Sequence, residues 1–540
     1  HTDLSRDSGI SNGLPLDRIN WGNYDLVVID ESHNFRNGGQ TYGDDEERKE
    51  NRYLRLLNKV IRAGVKTKVL MLSATPVNNR FFDLRNQIAL AYEGQSEKID
   101  ELLNTEKTID DIFRNAQAAF NKWSRYDSND RTTENLLELL DFDFFEVLDS
   151  ITIARSRKHI EKYYNTEAIG KFPVRLKPIS IRPSLTEKNG AINYNEIYDL
   201  LVQLNLSIYT PSMYIFASKA EDYESRYGRD MGNTFFKQSD REMGIRRLMN
   251  INLLKRLESS VHSFRLTVYK IKKLIDDNIE LIENHTDTKV NLEDWVSDVD
   301  LELDDQNTDL FVGRKVQISL NDMDTLSWLR DLKQDSDTLY QLLYFVDDIT
   351  HEHDFKLQTL LTTLDQKIEN PINGENKKVI VFTAFSDTAE YLYNNVSKRL
   401  KNQYNINTAL ITGSVDGRTT IPKLKNDMNT VLTCFSPISK QKDLLLGNNY
   451  KDEIDVLIAT DCISEGQNLQ DCDFLINYDI HWNPVRIIQR FGRIDRIGSR
   501  NDVIQLVNFW PDLSLDDYIN LKGRVETRMK ISVMTSTGDD

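Results

Sequence analysis

The stretch Tyr24-Asp25-Leu26-Val27-Val28-Ile29-Asp30-Glu31 is an apolar run that ends in two acids. A short apolar run of this kind predicts a fully buried strand of a parallel sheet. Residues 68–72 predict a second such strand, and the apolar positions between Tyr53 and Ile61 predict the helix that connects the two. We therefore expect residues 1–95 to form the C-terminal part of a first α/β lobe.

The alternation of short strands and helices returns after a long interval. Further strand-like runs lie at residues 379–382, 408–411, 456–459, 474–477 and 503–507. The interval between the two α/β regions has a mainly helical pattern, with one extended run over 172–183. We expect an insertion over 96–355, a second lobe over 356–515 and a truncated helical extension over 516–540. The predicted fold class is α/β, with two parallel-sheet lobes, the first incomplete, and a large mainly helical insertion.

The composition is that of a soluble chain with more than one domain: 540 residues, 39% hydrophobic and 28% charged. A net charge of −17 argues against a protein that coats nucleic acid by bulk charge, but a local basic cleft stays possible. An acidic segment at 293–309 predicts a solvated loop, with an arm that mimics or repels DNA as the alternative.

Cysteine content and apolar run length bear on the compartment. Three thinly spread cysteines do not make a disulfide framework, which favours a reducing cytoplasm. The apolar runs fall far short of the roughly 20 residues that a membrane span needs, so we expect no membrane segment. The chain starts at His1 without a signal-peptide pattern, and we interpret it as a fragment cut at both ends.

Asp30 and Glu31 follow the first predicted strand directly, and so lie at the sheet edge where parallel α/β folds bind ligands. Chemistry at a nucleotide phosphate needs one acid to hold Mg²⁺ and another group to polarise the attacking water. A solvated strand end is the alternative, since acids are common there. The run Ser73-Ala74-Thr75-Pro76 follows the second strand at the same edge. It predicts either a bridge from a phosphate site to a neighbouring lobe or a plain helix-capping turn.

Arginines recur three or four residues apart within 484–500, so a helix would carry them largely on one side: Arg486, Arg490, Arg493, Arg496 and Arg500. In an acidic chain this concentration indicates a phosphate-bearing partner, with a solvated basic face as the alternative. Other candidates follow later strands, namely Thr460, Asp461 and Gly466 after one, and Gly413 and Arg418 after another. For Gly413 and Arg418 a phosphate-contacting turn and a generic surface turn are equal interpretations, and Trp482 either stacks on a base or packs.

Taken in chain order, these segments resemble the signature series of superfamily two helicases. They are residues 28–33, 72–76, 379–382, 459–469 and 489–498. The run Asp495-Arg496-Ile497-Gly498, preceded by Trp482-Asn483-Pro484, resembles the Swi/Snf-type DNA translocases, bacterial members above all, more than RNA helicases of the DEAD-box kind. The basic run Arg155-Ser156-Arg157-Lys158, followed by Phe172-Pro173, is similar to a segment that those ATPases carry between their lobes.

The resemblance implies two RecA-like lobes, ATP and Mg²⁺ as cofactors, double-stranded DNA as a partner, and protein partners for the helical insertion. In the first lobe it implies that Asp30 holds Mg²⁺ and that Glu31 activates the attacking water. Ser73 and Thr75 would couple hydrolysis to lobe movement, with His33 as a relay.

In the second lobe, the resemblance implies two groups of site residues. Those that face nucleotide and DNA are Thr460, Asp461 and Gly466. Those that complete the nucleotide site are Gln489 and two arginine fingers, Arg493 and Arg496.

One departure from the family pattern is large. The phosphate loop Gly-x-x-x-x-Gly-Lys-Ser/Thr should precede Asp30, but only Gly9, Gly13 and Gly22 stand there, without a Gly-Lys pair. Since that loop cradles the phosphates, we expect the chain as given to bind ATP poorly, and we attribute the gap to truncation. Ser32, where many relatives have Ala or Gly, is a small change.

We therefore expect an ATP-dependent double-stranded-DNA translocase. One alternative is a helicase that separates strands of DNA or RNA. The other is a non-catalytic module that recruits partners through its lobes and its acidic insertion.

Overall fold

The structure, a computed structural model, describes the chain except for residues 1–3, 5, 7, 12, 40, 43–48, 74–79, 104, 127–129, 154–156, 166–169, 231–234, 285–288, 292–316, 414–416, 448–450, 465, 482, 513–524 and 526–540. Within the described residues the chain forms two units. The first comprises residues 1–169, 482–485 and 522–540, and the second comprises residues 170–481 and 486–521. The acidic segment at 293–309 and, apart from Val525, the predicted extension at 516–540 lie outside the described residues.

The first unit contains two parallel strands, β1 (Leu26–Ile29) and β2 (Lys68–Met71), aligned from Leu26 opposite Lys68 onward. The predicted crossover helix is present as Arg52–Arg55, which continues into a π-helical segment over Leu56–Ile61. Its apolar side chains pack on one face of the two strands.

The prediction that β1 is fully buried is wrong. Ile29 is 5% exposed, but Leu26 and Val28 are 54% and 53% exposed. Successive side chains of a strand point to opposite faces, and the described helices cover one face of this pair of strands. Alternate apolar residues of β1 therefore reach solvent.

The longer helices of the first unit pack around aromatic side chains. They are α1 (Phe81–Ala91), α2 (Ile109–Trp123), α3 (Thr133–Leu139) and α4 (Phe142–Ile151). The Phe144 ring meets Phe81 and Phe113 edge-on, with ring centres 5.0 and 5.7 Å apart, a favourable arrangement of aromatic quadrupoles. Shorter elements of this unit are Ile10–Ser11, Leu14–Pro15, Leu16–Arg18, Ser32–Phe35, Thr41–Tyr42, Lys49–Glu50, Ser96–Asp100 and Arg157–Tyr163.

The second unit is built on an eight-stranded sheet of described residues. Its strands are β3 (Val174–Arg175), β4 (Ile179–Ile181), β5 (Val379–Phe382), β6 (Thr408–Ile411), β7 (Arg418–Thr419), β8 (Val456–Ala459), β9 (Phe474–Asn477) and β10 (Val503–Phe509). The order is β7-β6-β8-β5-β9-β10-β3, and β4 also pairs with β10. Neighbours run parallel, except that β7 is antiparallel to β6. This confirms the predicted α/β class with a parallel-sheet core.

Helices account for most of the rest of the second unit. The longer ones are α5 (Tyr194–Val202), α6 (Ala217–Tyr227), α7 (Gln238–Ser259), α8 (Val261–Glu283), α9 (Thr325–Val346), α10 (Phe355–Glu369), α11 (Ser386–Tyr404), α12 (Met428–Phe435) and α13 (Pro484–Phe491). Shorter elements are Ser207–Tyr209, Pro211–Tyr214, Arg229–Asp230, Phe235–Phe236, Lys289–Asn291, Gln317–Ser319, Leu320–Asp322, Lys442–Leu446 and Asp461–Ile463. Each helix in the described part of the chain is too short or too polar to cross a membrane.

Both faces of the large sheet are covered, which explains the continuous apolar runs of its central strands. In β5, Val379 and Val381 enter an apolar core that α10 and α11 complete. Ile380 and Phe382 enter the opposite core, which contains side chains of α12. The extended run predicted over 172–183 forms β3 and β4, and thus lengthens the sheet by pairing with β10.

A fully buried ion pair joins α10 to the start of β9. Lys367 Nζ lies 2.8 Å from Asp473 Oδ1, and neither side chain has exposed surface. The ammonium group also donates to the backbone oxygen of Asn376 at 2.7 Å. Burial raises the pKa of Asp473, and Lys367 opposes that rise.

We expect Lys367→Met to lower the free energy of unfolding by about 3–5 kcal/mol, because it leaves the buried Asp473 carboxylate without its cation. Chemical denaturation of the second unit measures the change. Lys333→Met is the matched control, since the pair of Lys333 with Glu283 is about half exposed, at 52% and 48%. The control should lose about 0–1 kcal/mol; equal losses in the two variants would contradict the prediction.

Candidate functional site

The strand-end acids of the first unit lie where the sequence predicts them. Asp30 is exposed just beyond β1, and its Oδ1 accepts a hydrogen bond from the Glu31 backbone N–H at 3.0 Å. Glu31 has a left-handed backbone with φ of +51°, a conformation that costs a non-glycine residue free energy. The Ser32 N–H then donates to the Leu72 oxygen at 2.9 Å, which ties this turn to the end of β2.

A histidine links the two strand ends. His33 is 4% exposed, and its Nδ1 lies 3.4 Å from Glu31 Oε2 and 3.4 Å from Ser73 Oγ. Ser32 Oγ donates to Gln87 Oε1 at 2.9 Å, and this hydrogen bond attaches the same turn to α1. The structure thus brings Glu31, His33 and Ser73 together. Thr75 lies outside the described residues.

The fit of a magnesium ion to the first unit rests on one side chain. Asp30 presents an exposed carboxylate, the ligand type that Mg²⁺ prefers, and Mg²⁺ commonly keeps several of its waters. Within the described ranges, no group of three or more His, Cys, Asp or Glu side chains is arranged to hold a metal. Asp30 therefore fits one ligand position of a magnesium ion.

In the second unit, Arg490 of α13 forms a buried bidentate ion pair. Its Nε lies 2.6 Å from Asp461 Oδ1, its Nη2 lies 2.7 Å from Asp461 Oδ2, and the guanidinium has no exposed surface. Its Nη1 donates to Asn477 Oδ1 and to the Asp479 backbone oxygen, each at 3.1 Å. These contacts join α13 to the carboxyl ends of β8 and β9.

The electrostatics of this pair keep Asp461 ionised. Burial alone would raise the pKa of the Asp461 carboxyl, but the charge and hydrogen bonds of Arg490, together with the charges of His481 and Arg486, lower it. Both carboxylate oxygens of Asp461 thus face a cation that belongs to the protein.

The condition for a shared helical face of arginines is met only in part, because the helix does not extend over the whole of residues 484–500. Helix α13 ends at Phe491, and Arg493, Arg496 and Arg500 lie in the turns that follow. Arg493 is 7% exposed; it donates to the Gln489 oxygen at 3.0 Å and to the Gln467 oxygen at 3.1 Å. Glycine at 492 is a poor helix former, which agrees with the end of α13 at Phe491.

Of the other two members of the predicted nucleotide group, Gln489 lies within α13 and Arg496 lies just beyond its end. Gln489 is 6% exposed, and its backbone oxygen accepts from Arg493. Arg496 is partly exposed, and its Nε donates to the Gly492 oxygen at 3.1 Å.

The remaining candidates of the second unit are spread along the sheet edge. Thr460 is 6% exposed at the end of β8, and Gly466 has a φ of +68° with open space around its Cα. Gly413 is exposed after β6, whereas Arg418 lies in β7 with its Nη2 3.3 Å from Glu390. Trp482 lies outside the described residues.

Sequence reasoning missed Asn477 and Asp479, which hold Arg490. The signal was present, because β9 is an apolar run followed within two residues by Asp479, the pattern that singled out Asp30. Asp479 is 1% exposed; its Oδ2 accepts from the Thr383 hydroxyl and its Oδ1 accepts from the Ala384 N–H at 2.8 Å.

A parallel sheet with buried strand-end acids and an arginine-bearing helix agrees with the family match. Residues 356–498 match the helicase conserved C-terminal domain. Together with the relatives below, this match supports a superfamily two helicase-like protein.

Three relatives illustrate the similarity. Over 54 residues the chain is 54% identical to the uncharacterized ATP-dependent helicase YqhH of Bacillus subtilis, covering 10% of each protein. Over 154 residues it is 27% identical to the ATP-dependent DNA helicase mph1 of Neurospora crassa, covering 28% of this chain and 12% of the relative. Over 86 residues it is 33% identical to the ATP-dependent RNA helicase eIF4A of Saccharomyces cerevisiae, covering 16% of this chain and 22% of the relative. The chain thus spans less than a quarter of each relative.

We expect Arg490→Lys to lower the free energy of unfolding of the second unit by about 1–3 kcal/mol at pH 7, because an ammonium group cannot replace the planar fork. The pKa of Asp461 is lowered in the folded state, so the pair stabilises the fold above the ordinary pKa of about 3.9. The difference between variant and wild type should therefore shrink as the pH falls below that value.

Denaturation curves at several pH values measure this effect. Arg399→Lys is the control, since the pair of Arg399 with Asp365 is partly exposed and its loss should cost about 0–1 kcal/mol. If Arg490→Lys lowers the free energy of unfolding no more than the control does, the stabilising role of the buried Arg490 guanidinium is refuted.

Proposed function

We propose that the protein is an ATP-dependent double-stranded-DNA translocase of the Swi/Snf type, which couples ATP hydrolysis to closure of its lobes and to movement along DNA. The observation that carries the proposal is the cluster at the end of β1 and β2, where His33 lies within 3.4 Å of both Glu31 and Ser73. The match of residues 356–498 to a helicase domain independently supports the helicase-type part of the proposal.

In the proposed reaction, Asp30 would be the protein ligand that holds Mg²⁺. A bound Mg²⁺ neutralises charge that develops on the phosphoryl oxygens. Glu31 orients the attacking water and accepts its proton. The left-handed backbone at Glu31 and the Ser32 contacts set the direction in which the Glu31 side chain leaves the turn. His33 relays the change at Glu31 to Ser73, and Thr75 continues the same path.

The cations proposed for the reaction are arginines. We assign Arg493 and Arg496 as arginine fingers that stabilise charge on the transferring phosphoryl group, with Gln489 beside them. An arginine in this role is worth roughly 10³ to 10⁵ in turnover. Thr460 and Gly466 face the nucleotide and the DNA, while Asp461 acts through Arg490, which it holds in place.

Double-stranded DNA is the proposed partner, bound through its phosphates without sequence readout. The residues proposed to contact it are Thr460, Gly413, Arg418 and Trp482. The run from Asp495 to Gly498 supports a DNA translocase, as its resemblance to that class indicates. A strand-separating helicase is the second candidate, because relatives of this chain carry the names of DNA and RNA helicases. Protein partners are proposed for the helical insertion.

The proposal predicts ATP hydrolysis by the full-length protein that carries this sequence, stimulated chiefly by duplex DNA. Turnover is compared without nucleic acid and with duplex DNA, single-stranded DNA and RNA. Glu31→Gln serves as the blank, since it should bind ATP and lose hydrolysis. Stimulation by single strands or by RNA would favour the strand-separating helicase. Turnover no higher than the blank would favour a non-catalytic module.

We expect Arg496→Ala to lower ATP turnover by roughly 10³ or more, with little loss of DNA affinity, because a finger acts on the phosphoryl group. Arg493→Ala should have the same effect, and its thermal unfolding is measured alongside because Arg493 is buried. The control is Arg500→Ala, an exposed arginine of the same segment, which should keep wild-type turnover. Near-normal turnover in Arg496→Ala and Arg493→Ala would overturn the finger assignment.

A further inference from the structure

The junction between α7 and α8 is buried against the sheet of the second unit, and we call residues 258–263 the elbow. Ser259 ends α7, and Ser260 caps α8 by accepting the Ser263 N–H at 3.0 Å. Ser259 has no exposed surface and Ser260 is 2% exposed. Buried hydroxyl groups need partners, and besides the contacts within α7 and α8, this elbow has two sets of partners on other elements.

The first set of partners holds the elbow to the carboxyl ends of β5 and β9. Ser259 Oγ donates to Asp479 Oδ2 at 2.7 Å, and Thr383, just after β5, donates to the same oxygen. The Ile480 N–H approaches Glu258 Oε1 at 3.4 Å. The elbow therefore contacts Asp479, whose backbone oxygen accepts a hydrogen bond from Arg490.

The second set of partners fixes the elbow to the start of α11. The Arg256 guanidinium is ion-paired with Asp387, and Ser263 Oγ donates to Asp387 Oδ1 at 2.8 Å. The hydroxyls of Ser259 and Ser260 lie 2.9 and 3.0 Å from Thr388 Oγ1. Because the elbow is bonded at both places, any rotation would break buried polar contacts. Buried polar groups without hydrogen-bond partners cost free energy.

We propose that Ser259 is a positioning residue for ATP turnover, acting through Asp479 and Arg490 on the segment that carries Gln489 and Arg493. The inference rests on the proposed ATPase function and adds the helical insertion as a determinant of its rate. The Asp479 carboxylate accepts a hydrogen bond from Ser259, and its backbone oxygen accepts one from Arg490. Asp479 therefore links the helical insertion to α13.

The orientation of the Asp479 carboxylate depends on each of its hydrogen-bond donors, because the Arg490 guanidinium lies nearby. Its carboxylate is 1% exposed and accepts from Ser259, Thr383 and Ala384, while the Arg490 Nη2 is 4.0 Å from its Oδ1. Loss of the Ser259 hydroxyl removes one donor from a desolvated carboxylate. We expect the carboxylate to turn toward the guanidinium, and the backbone at residue 479 to loosen its contact with Arg490.

The chain offers a closely matched control. Ser207 Oγ donates to Asp335 Oδ2 at 2.8 Å, and these two side chains are as buried as Ser259 and Asp479. Ser207 lies between α5 and α6, within the helical insertion. Ser259→Ala and Ser207→Ala each remove a buried hydroxyl that donates to a buried carboxylate. Ser259→Ala also removes the contact with Thr388, so thermal unfolding is measured for both variants.

The test measures amide hydrogen exchange over residues 486–493 and steady-state ATP turnover in the full-length protein. Ser259→Ala should speed exchange in this segment by about tenfold and lower kcat by about tenfold, with little change of KM for ATP. Ser207→Ala should leave exchange there and kcat unchanged. If Ser259→Ala does not fold, Ser259→Cys, which nearly keeps the volume and weakens the donor, should show the same changes at smaller size.

Two results would overturn the inference. The first is unchanged exchange over residues 486–493 in the Ser259 variant, and the second is an equal change in the Ser207 control. Failure of the proposed function gives a different result, namely wild-type turnover no higher than the Glu31→Gln blank. The exchange measurement does not need turnover, so in that case it still decides whether Ser259 orders residues 486–493.

Discussion

The second unit depends on a guanidinium that has been removed from water. Arg490 has no exposed surface, and a buried charge persists only where its donors are satisfied and its charge is balanced. Asp461 supplies the balance, and Asn477 and the Asp479 backbone supply the remaining acceptors. These acceptors come from the ends of two strands, so the position of α13 follows from the register of the sheet.

Other junctions of the second unit follow the same rule. Lys367 and Asp473 join α10 to β9, and Arg256 with Asp387 joins the end of α7 to α11. Buried pairs of this kind add little net stability compared with apolar packing, but each tolerates one arrangement of its partners. Apolar packing covers both faces of the sheet, whereas the polar pairs determine which helix end meets which strand end.

The sequence was most informative where burial is complete. Runs such as Val379–Phe382 and Val456–Ala459 are apolar at every position because both faces of their sheet are covered, and their bounds matched the prediction. The burial of β1 was mispredicted because an apolar run does not reveal whether both faces of its strand are covered. The end of α13 was missed because the arginine spacing is also compatible with a longer helix, whereas the helix ends at Phe491.

The acids at strand ends show why position is easier to predict than role. Asp30, Asp461 and Asp479 each follow an apolar strand by one or two residues, so the sequence pattern treats them alike. Asp30 is exposed, whereas Asp461 is neutralised by Arg490 from 29 residues away and Asp479 receives Ser259 from 220 residues away. The pattern places an acid at the ligand-binding edge of a sheet. An acid that pairs with a cation or hydrogen-bond donor of the same chain has a structural role, whereas an acid that stays exposed can bind a metal ion. These partners are distant in sequence, so the local pattern does not reveal them.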